Sequence, residues 1–252
     1  MAEKQSQIAP ASQNEFAHGG ARRLTSRAMV EVFIGFVLIL LTLWISGLAQ
    51  LAIAGATFTW MLFVTFRARP TAEQLGLRVA GTRRALWIVA LAVIAAVLGV
   101  WISVRLHTFH AVFRNYAVEW GFLAYIVWAL VQQFILQDFF LTRLVRIAPS
   151  RTLAVVVAGV LFAVAHLPNP LLVVATVVWG TIACALFLRY RNLYVLGLAH
   201  AILGMCIAVA VPNAVHHHMR VGLGYLQWHA SATAQLQHNE MRDLGINNLT
   251  NP

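Results

Sequence analysis

Long apolar runs alternate with short polar segments along most of this chain. Seven such runs occupy residues 29–48, 50–66, 85–105, 119–142, 152–167, 171–188 and 193–211. A helix that crosses a bilayer needs roughly 20 predominantly apolar residues. The pattern therefore predicts an all-α, polytopic transmembrane helix bundle of about seven spans, within a range of six to eight. The first two runs are joined by a short turn, so a re-entrant pair is an alternative for them.

The polar segments predict how the chain is divided. Residues 1–28 are expected to form a polar N-terminal tail, residues 29–211 the transmembrane bundle, and residues 212–252 a polar C-terminal tail. The break between the fifth and sixth runs is firm, because Pro168 and Pro170 cannot continue a helix.

Composition and charge indicate what the chain binds and how it is oriented. The chain is 60% hydrophobic and only 10% charged, yet its formal net charge is +10. A basic balance suggests nucleic acid, but these basic residues stand in short clusters between apolar runs, as the anchors of membrane loops do. The predicted partner is the lipid bilayer and not nucleic acid. Most of the clusters fall on one side, which places the N-terminus in the cytoplasm by the positive-inside rule.

Five polar side chains inside the apolar runs are the candidate functional residues. They are His166, His200, Gln132, Gln133 and Gln137. Their spacing from nearby arginines puts the glutamines and His200 near the middle of the bilayer, with His166 somewhat deeper. Intramembrane ionisable residues indicate a functional site by default, and three spans can build one in a bundle core. The alternative is structural, since buried glutamines also act as interhelical hydrogen-bond donors, worth about 0.6–2 kcal/mol each.

Other polar residues receive structural interpretations. Asp138 lies six residues past Gln132, and therefore on another helix face unless the helix is distorted. We expect it to pair with a basic residue near the cytoplasmic face. The run 216–218 contains three consecutive histidines, whose side chains would diverge on a helix, so an exposed polar tail is expected there and not a metal site.

Two short motifs resemble a known family. Phe162 and His166 form Phe-x-x-x-His, and His200 begins a second motif that ends at Gly204. In order and spacing the chain resembles the CAAX-protease and bacteriocin-processing family of intramembrane endopeptidases over about 120–210. The family pattern is Glu-Glu-x-x-x-Arg, then Phe-x-x-x-His, then His-x-x-x-Asn.

The resemblance implies a peptidase, that is, a hydrolase of the bacterial inner membrane that acts on a membrane-associated peptide or protein. His166 and His200 would be catalytic, and Phe162 would contact the substrate. The Glu-Glu-x-x-x-Arg positions are occupied by Gln132, Gln133 and Gln137.

These replacements alter the chemistry, because an amide cannot take up a proton at neutral pH as a general base must. A histidine, whose ordinary pKa is about 6.5, is an alternative base. The asparagine position is Gly204, which has no side chain to offer.

Three alternatives stay open. The chain could be a catalytically silent relative that binds a membrane partner in the same cavity, or a small histidine-dependent transporter. It could also be a metal enzyme, although two histidines are an incomplete set where catalytic zinc usually has three protein ligands. The sequence leaves the cofactor undetermined.

Overall fold

The computed structural model describes residues 11–110 and 117–228, with the backbone alone for 11–23 and 117–122. The described residues contain helices and no strand. The α-helices are α1 (Ala11–Trp44), α2 (Gly47–Phe66), α3 (Thr82–Arg105), α4 (Ala117–Phe134), α5 (Thr142–Ile147), α6 (Arg151–Val164), α7 (Pro170–Tyr190), α8 (Leu193–Ala210) and α9 (Asn213–His216). A π-helix, Ile135–Leu141, joins α4 to α5, and a short 3₁₀-helix, His217–Met219, follows α9.

Six of these helical segments in the described part are long and apolar enough to cross a membrane. The predicted polytopic helical bundle is therefore confirmed. The first two runs form separate helices of 34 and 20 residues. Helix α1 already begins within the predicted N-terminal tail, and residues 1–10 of that tail lie outside the described residues.

The run predicted as a span at 152–167 folds differently. Helix α6 has only 14 residues, about 21 Å of helix, whereas the hydrocarbon core is about 30 Å thick. The helix ends early because the chain must turn before Pro168. Asn169 is fully buried at this turn and caps α7 by accepting a hydrogen bond from Leu172 N at 3.2 Å.

The central span changes its helical geometry where its polar residues lie. Helix α4, the π-helix and α5 form one continuous segment, and the π-helix contains both Gln137 and Asp138. In a π-helix the backbone hydrogen bonds join residues five apart, and not four apart as in an α-helix. Side chains bond the carbonyls of this segment as well, since Thr142 Oγ1 donates to Asp138 O at 2.6 Å and Arg143 Nη1 donates to Phe139 O at 2.9 Å.

Arg143 also attaches this span to α1. Its Nε donates to Glu31 Oε2 at 2.7 Å, and its guanidinium lies 4.1 Å from the centre of the Phe139 ring. The Arg143 side chain is only 7% exposed. Because the charge is buried, its pairing with Glu31 is needed for α1 to pack against α5.

Glycines permit the closest helix approaches around α8 and α7. A Cβ built at Gly197 would overlap the side chain of Leu130, so α8 and α4 meet closely there. A Cβ at Gly159 would overlap Thr181, at the contact of α6 with α7. Small residues commonly allow such close approaches between membrane helices.

The segment after α8 folds back over the turn that follows α6. Gly222 N donates to Leu167 O at 2.7 Å, and Asn169 Nδ2 donates to His216 O at 2.8 Å. His216 is 1% exposed and His217 is 7% exposed. The prediction of an exposed histidine run is therefore wrong for these two residues, because the chain returns to the bundle instead of leaving it.

The packing of His216 predicts a pH dependence. Burial lowers its pKa below the ordinary 6.5, and the nearby imidazoles of His110 and His218 act in the same direction. His216 therefore binds a proton more readily in the unfolded segment than in the folded one. The folded state of the segment is most stable above pH ~6.5 and loses stability below it. We expect the amide-exchange protection factors of residues 213–222, which are corrected for the intrinsic exchange rate at each pH, to fall as the pH is lowered from about 7.5 to 5.5.

The variant His216→Asn tests the cause, because an amide oxygen can accept the Met219 N–H bond that His216 Nδ1 accepts at 3.1 Å. This variant should show a smaller pH dependence than the native chain. An unchanged pH dependence would assign the effect to other groups.

The buried Arg143–Glu31 pair predicts a large mutational cost. Arg143→Ala leaves Glu31 without its buried partner and should destabilise the protein by about 3–5 kcal/mol. Arg27→Ala is a matched control, because Arg27 pairs with the same carboxylate at 3.0 Å but is half exposed, and its loss should cost about 1 kcal/mol or less. Unfolding in detergent measures both, and equal effects would contradict the assignment.

Candidate active site

A cavity of about 910 Å³ lies between α1, α2, α4, α7 and α8. Most of its lining is apolar. The polar groups among its lining residues include Gln132, His166 and His200, together with Tyr125 and Trp179. The predicted meeting of polar residues from three spans is thus observed for the two histidines and Gln132.

Gln133 and Gln137 lie behind His200, and not in the cavity wall. Gln137 Nε2 donates to Gln133 Oε1 at 3.1 Å, and Gln133 Nε2 lies 3.1 Å from His200 Nδ1. Gln133 and Gln137 are fully buried and His200 is 7% exposed. The two glutamines are four residues apart and lie on one helix face, and they form a hydrogen-bonded chain that ends on the histidine.

This chain determines the proton position on His200. Because Gln133 Oε1 accepts from Gln137, the amide nitrogen of Gln133 faces His200. An amide nitrogen can only donate, so His200 Nδ1 accepts. The neutral ring then carries its proton on Nε2, which makes Nε2–H a hydrogen-bond donor.

His166 has the opposite arrangement. Its Nδ1 lies 2.7 Å from Phe162 O, one helical turn earlier. A carbonyl oxygen can only accept, so Nδ1 carries the proton and Nε2 keeps its lone pair. The site therefore combines one imidazole whose second nitrogen accepts a proton with another whose second nitrogen donates one.

Phe162 lies against both imidazoles. Its ring centre is 4.8 Å from that of His166 and 5.8 Å from that of His200, and both contacts are edge-to-face. Trp179 contacts His200 from another side, with ring centres 6.2 Å apart. These rings restrict the orientation of the histidines, and a substrate contact of Phe162 stays a prediction.

Residues 114–206 match the family model described as Type II CAAX prenyl endopeptidase Rce1-like. This range contains α4, α6, α7, most of α8 and every candidate site residue named from the sequence. Over this range the chain is similar to membrane proteins of the CAAX-protease type. The family resemblance predicted at about 120–210 is confirmed. No match was found among curated proteins or among solved structures.

Among the described residues that line this cavity, no carboxylate substitutes for the glutamates of the family's pattern. Gln132 lines the cavity, whereas Asp138 lies in a different cavity at the end of the span. The π-helix distorts the helix but does not bring Asp138 to the histidines. The predicted ion pair of Asp138 is also not observed: within the described residues its carboxyl oxygens have no hydrogen-bond partner and no salt bridge.

The position of the family's asparagine is taken by a tyrosine from another helix. A Cβ built at Gly204 would overlap the hydroxyl of Tyr125, and both residues line the cavity. The sequence analysis did not single out Tyr125. The available signal was Gly204 itself, because a missing side chain in a buried motif requires a neighbour to fill its space.

The donor set at the cavity bears on the metal alternative. Within the described part of the chain, no group of three or more His, Cys, Asp or Glu side chains could hold a metal ion. His166 and His200 are thus one ligand short of the usual catalytic zinc set.

The contact between Gly204 and Tyr125 predicts that restoring the family's asparagine is harmful. Gly204→Asn should destabilise the protein by about 1–3 kcal/mol, because the new side chain overlaps the Tyr125 hydroxyl. In a Tyr125→Ala background, adding Gly204→Asn should cost less than it does in the native chain, because the overlapping side chain is gone. Thermal unfolding in detergent measures each variant.

Gly55→Asn is the matched control, because nothing lies within 4 Å of a Cβ at that helical glycine. If Gly204→Asn unfolds at the same temperature as Gly55→Asn, the two residues do not compete for space.

Proposed function

We propose that this protein is an intramembrane endopeptidase that cleaves a membrane-associated peptide, with a histidine in place of the family's glutamate base. The observation that carries the proposal is that two histidines line one cavity and that their Nδ1 atoms have partners of opposite kind, an amide nitrogen for His200 and a carbonyl oxygen for His166. The family match supports the class of reaction. The mostly apolar cavity supports a substrate that enters from the lipid.

In this mechanism His166 Nε2 takes a proton from a water molecule, whose oxygen attacks the scissile carbonyl carbon. The carbonyl oxygen becomes an oxyanion and accepts a hydrogen bond from His200 Nε2–H. The His166 imidazolium then gives its proton to the leaving amine as the C–N bond breaks. A positioned base contributes about 10²–10⁴-fold, and one oxyanion donor about 10²–10³-fold.

The surrounding residues have supporting roles in this proposal. Gln137 and Gln133 hold His200 in the tautomer that donates from Nε2. Gln132 lines the cavity and would orient the water or the scissile amide. The backbone carbonyl of Phe162 keeps the proton of His166 on Nδ1, which leaves Nε2 as the base.

Cleavage assays test the proposal directly. The purified protein in detergent is given lipidated and transmembrane peptides, and new termini are identified by mass spectrometry. We expect His166→Ala to lower the cleavage rate at least about 100-fold and His200→Ala to do the same. Gln133→Leu should have a smaller effect, because it removes only the group that orients His200.

His107→Asn is the control, because His107 is exposed and has a positive φ of 58°, which asparagine tolerates. It should cleave like the native chain. Cleavage that does not depend on His166 would overturn the proposed mechanism.

A catalytically silent binding protein is the second candidate. It is favoured by one observation: the described residues that line the cavity include no carboxylate. If this candidate is correct, peptides bind without being cleaved, and the amount that binds depends on how much of the cavity is open. Gln132→Glu should then introduce a histidine-dependent cleavage that the native chain lacks, whereas cleavage by the native chain would exclude this candidate.

A further inference from the structure

A second cavity, of about 500 Å³, lies at the end of the bundle where the central span finishes. We call it the arginine cavity. Five arginines and two acidic residues are among its lining residues, namely Arg27, Arg67, Arg143, Arg146, Arg191, Glu31 and Asp138. It is separate from the histidine cavity, and neither the family match nor the proposed reaction gives it a role.

The charges of the arginine cavity do not balance. Glu31 is shared by three guanidinium groups, with Arg27 and Arg67 at 3.0 and 3.2 Å from Oε1 and Arg143 at 2.7 Å from Oε2. Five guanidinium groups face two carboxyl groups, so at least three positive charges are left over among the described lining residues. An anion is the ligand class that this excess favours.

Two of the arginines are available for such an anion. Arg146 and Arg191 form no salt bridge within the described residues. Arg191 donates to the backbone carbonyl of Gln74 at 3.2 Å, while Arg146 is exposed. The Thr65 hydroxyl, in the same lining, is buried without a hydrogen-bond partner and can donate as well.

The position of the arginine cavity indicates which class of anion it binds. Arg67 directly follows the last residue of α2, Arg191 directly follows α7, and Arg146 lies in the last turn of the central span. These are the ends of membrane-spanning segments, where the bilayer presents its headgroups. Guanidinium groups match phosphate oxygens in a bidentate geometry.

We propose that the arginine cavity binds a phosphate group, supplied by the headgroup of an anionic phospholipid or by free phosphate. The bound phosphate accepts hydrogen bonds from Arg146, Arg191 and Thr65 and offsets the charge that Glu31 leaves unneutralised. It thereby links the ends of α2, α5 and α7. Asp138 cannot neutralise the remaining arginines even when it is ionised, because it carries at most one negative charge.

The test uses the full purified chain. Binding is measured in nanodiscs of phosphatidylcholine with and without phosphatidylglycerol, by the number of retained lipids, and in neutral detergent with inorganic phosphate, by the shift in unfolding temperature. We expect Arg146→Gln with Arg191→Gln to weaken binding at least about tenfold. Arg146→Gln alone should also weaken binding. Because this single substitution removes no described contact, it shows whether a loss of binding in the double variant could come from misfolding.

Arg105→Gln is the matched control. Helix α3 begins at Thr82, which accepts a hydrogen bond from Asn192, the neighbour of Arg191, at 2.8 Å. Arg105 ends the same helix and therefore lies at the opposite end of the bundle from the arginine cavity. This variant should bind like the native chain. Retention of phosphatidylglycerol alone identifies the lipid, and stabilisation by inorganic phosphate identifies the free ion. Equal binding by the native chain and both arginine variants, or an equal loss in Arg105→Gln, would overturn the proposal.

Discussion

The structure of the site depends on one constraint: polar side chains surrounded by apolar helices must bond to each other. Gln137, Gln133 and His200 meet this constraint as a chain of hydrogen bonds that joins the central span to α8. Amide groups donate through nitrogen and accept through oxygen, so the chain has a direction. That direction makes His200 Nδ1 the acceptor, so the proton of the ring lies on Nε2.

The same constraint explains the π-helix and its neighbours. The hydroxyl of Thr142 and the guanidinium of Arg143 donate hydrogen bonds to carbonyls of the π-helix, and the guanidinium also pairs with Glu31. The distorted segment thus lies between an apolar cavity with two imidazoles and a second cavity rich in arginine. One span contributes Gln132 to the first cavity and Asp138 to the second.

The departures from the family's motifs form a consistent set. Where the family's pattern has two glutamates, this chain has the amides Gln132 and Gln133, of which Gln133 hydrogen-bonds His200. Where the family has an asparagine, it has Gly204, and Tyr125 occupies the space. The described residues that line this cavity include two imidazoles and the Gln132 amide but no carboxylate.

The sequence by itself determined the features that depend on local periodicity and composition: the apolar spans, the shared face of Gln133 and Gln137, and the break at Pro168. It also predicted that polar residues of three spans meet, because bundle cores collect such groups. Only the tertiary structure decided the short α6, the burial of His216 and His217, the place of Asp138 and the role of Tyr125. Each of these depends on which distant segments pack together, and helical periodicity specifies a face without naming the neighbour that covers it.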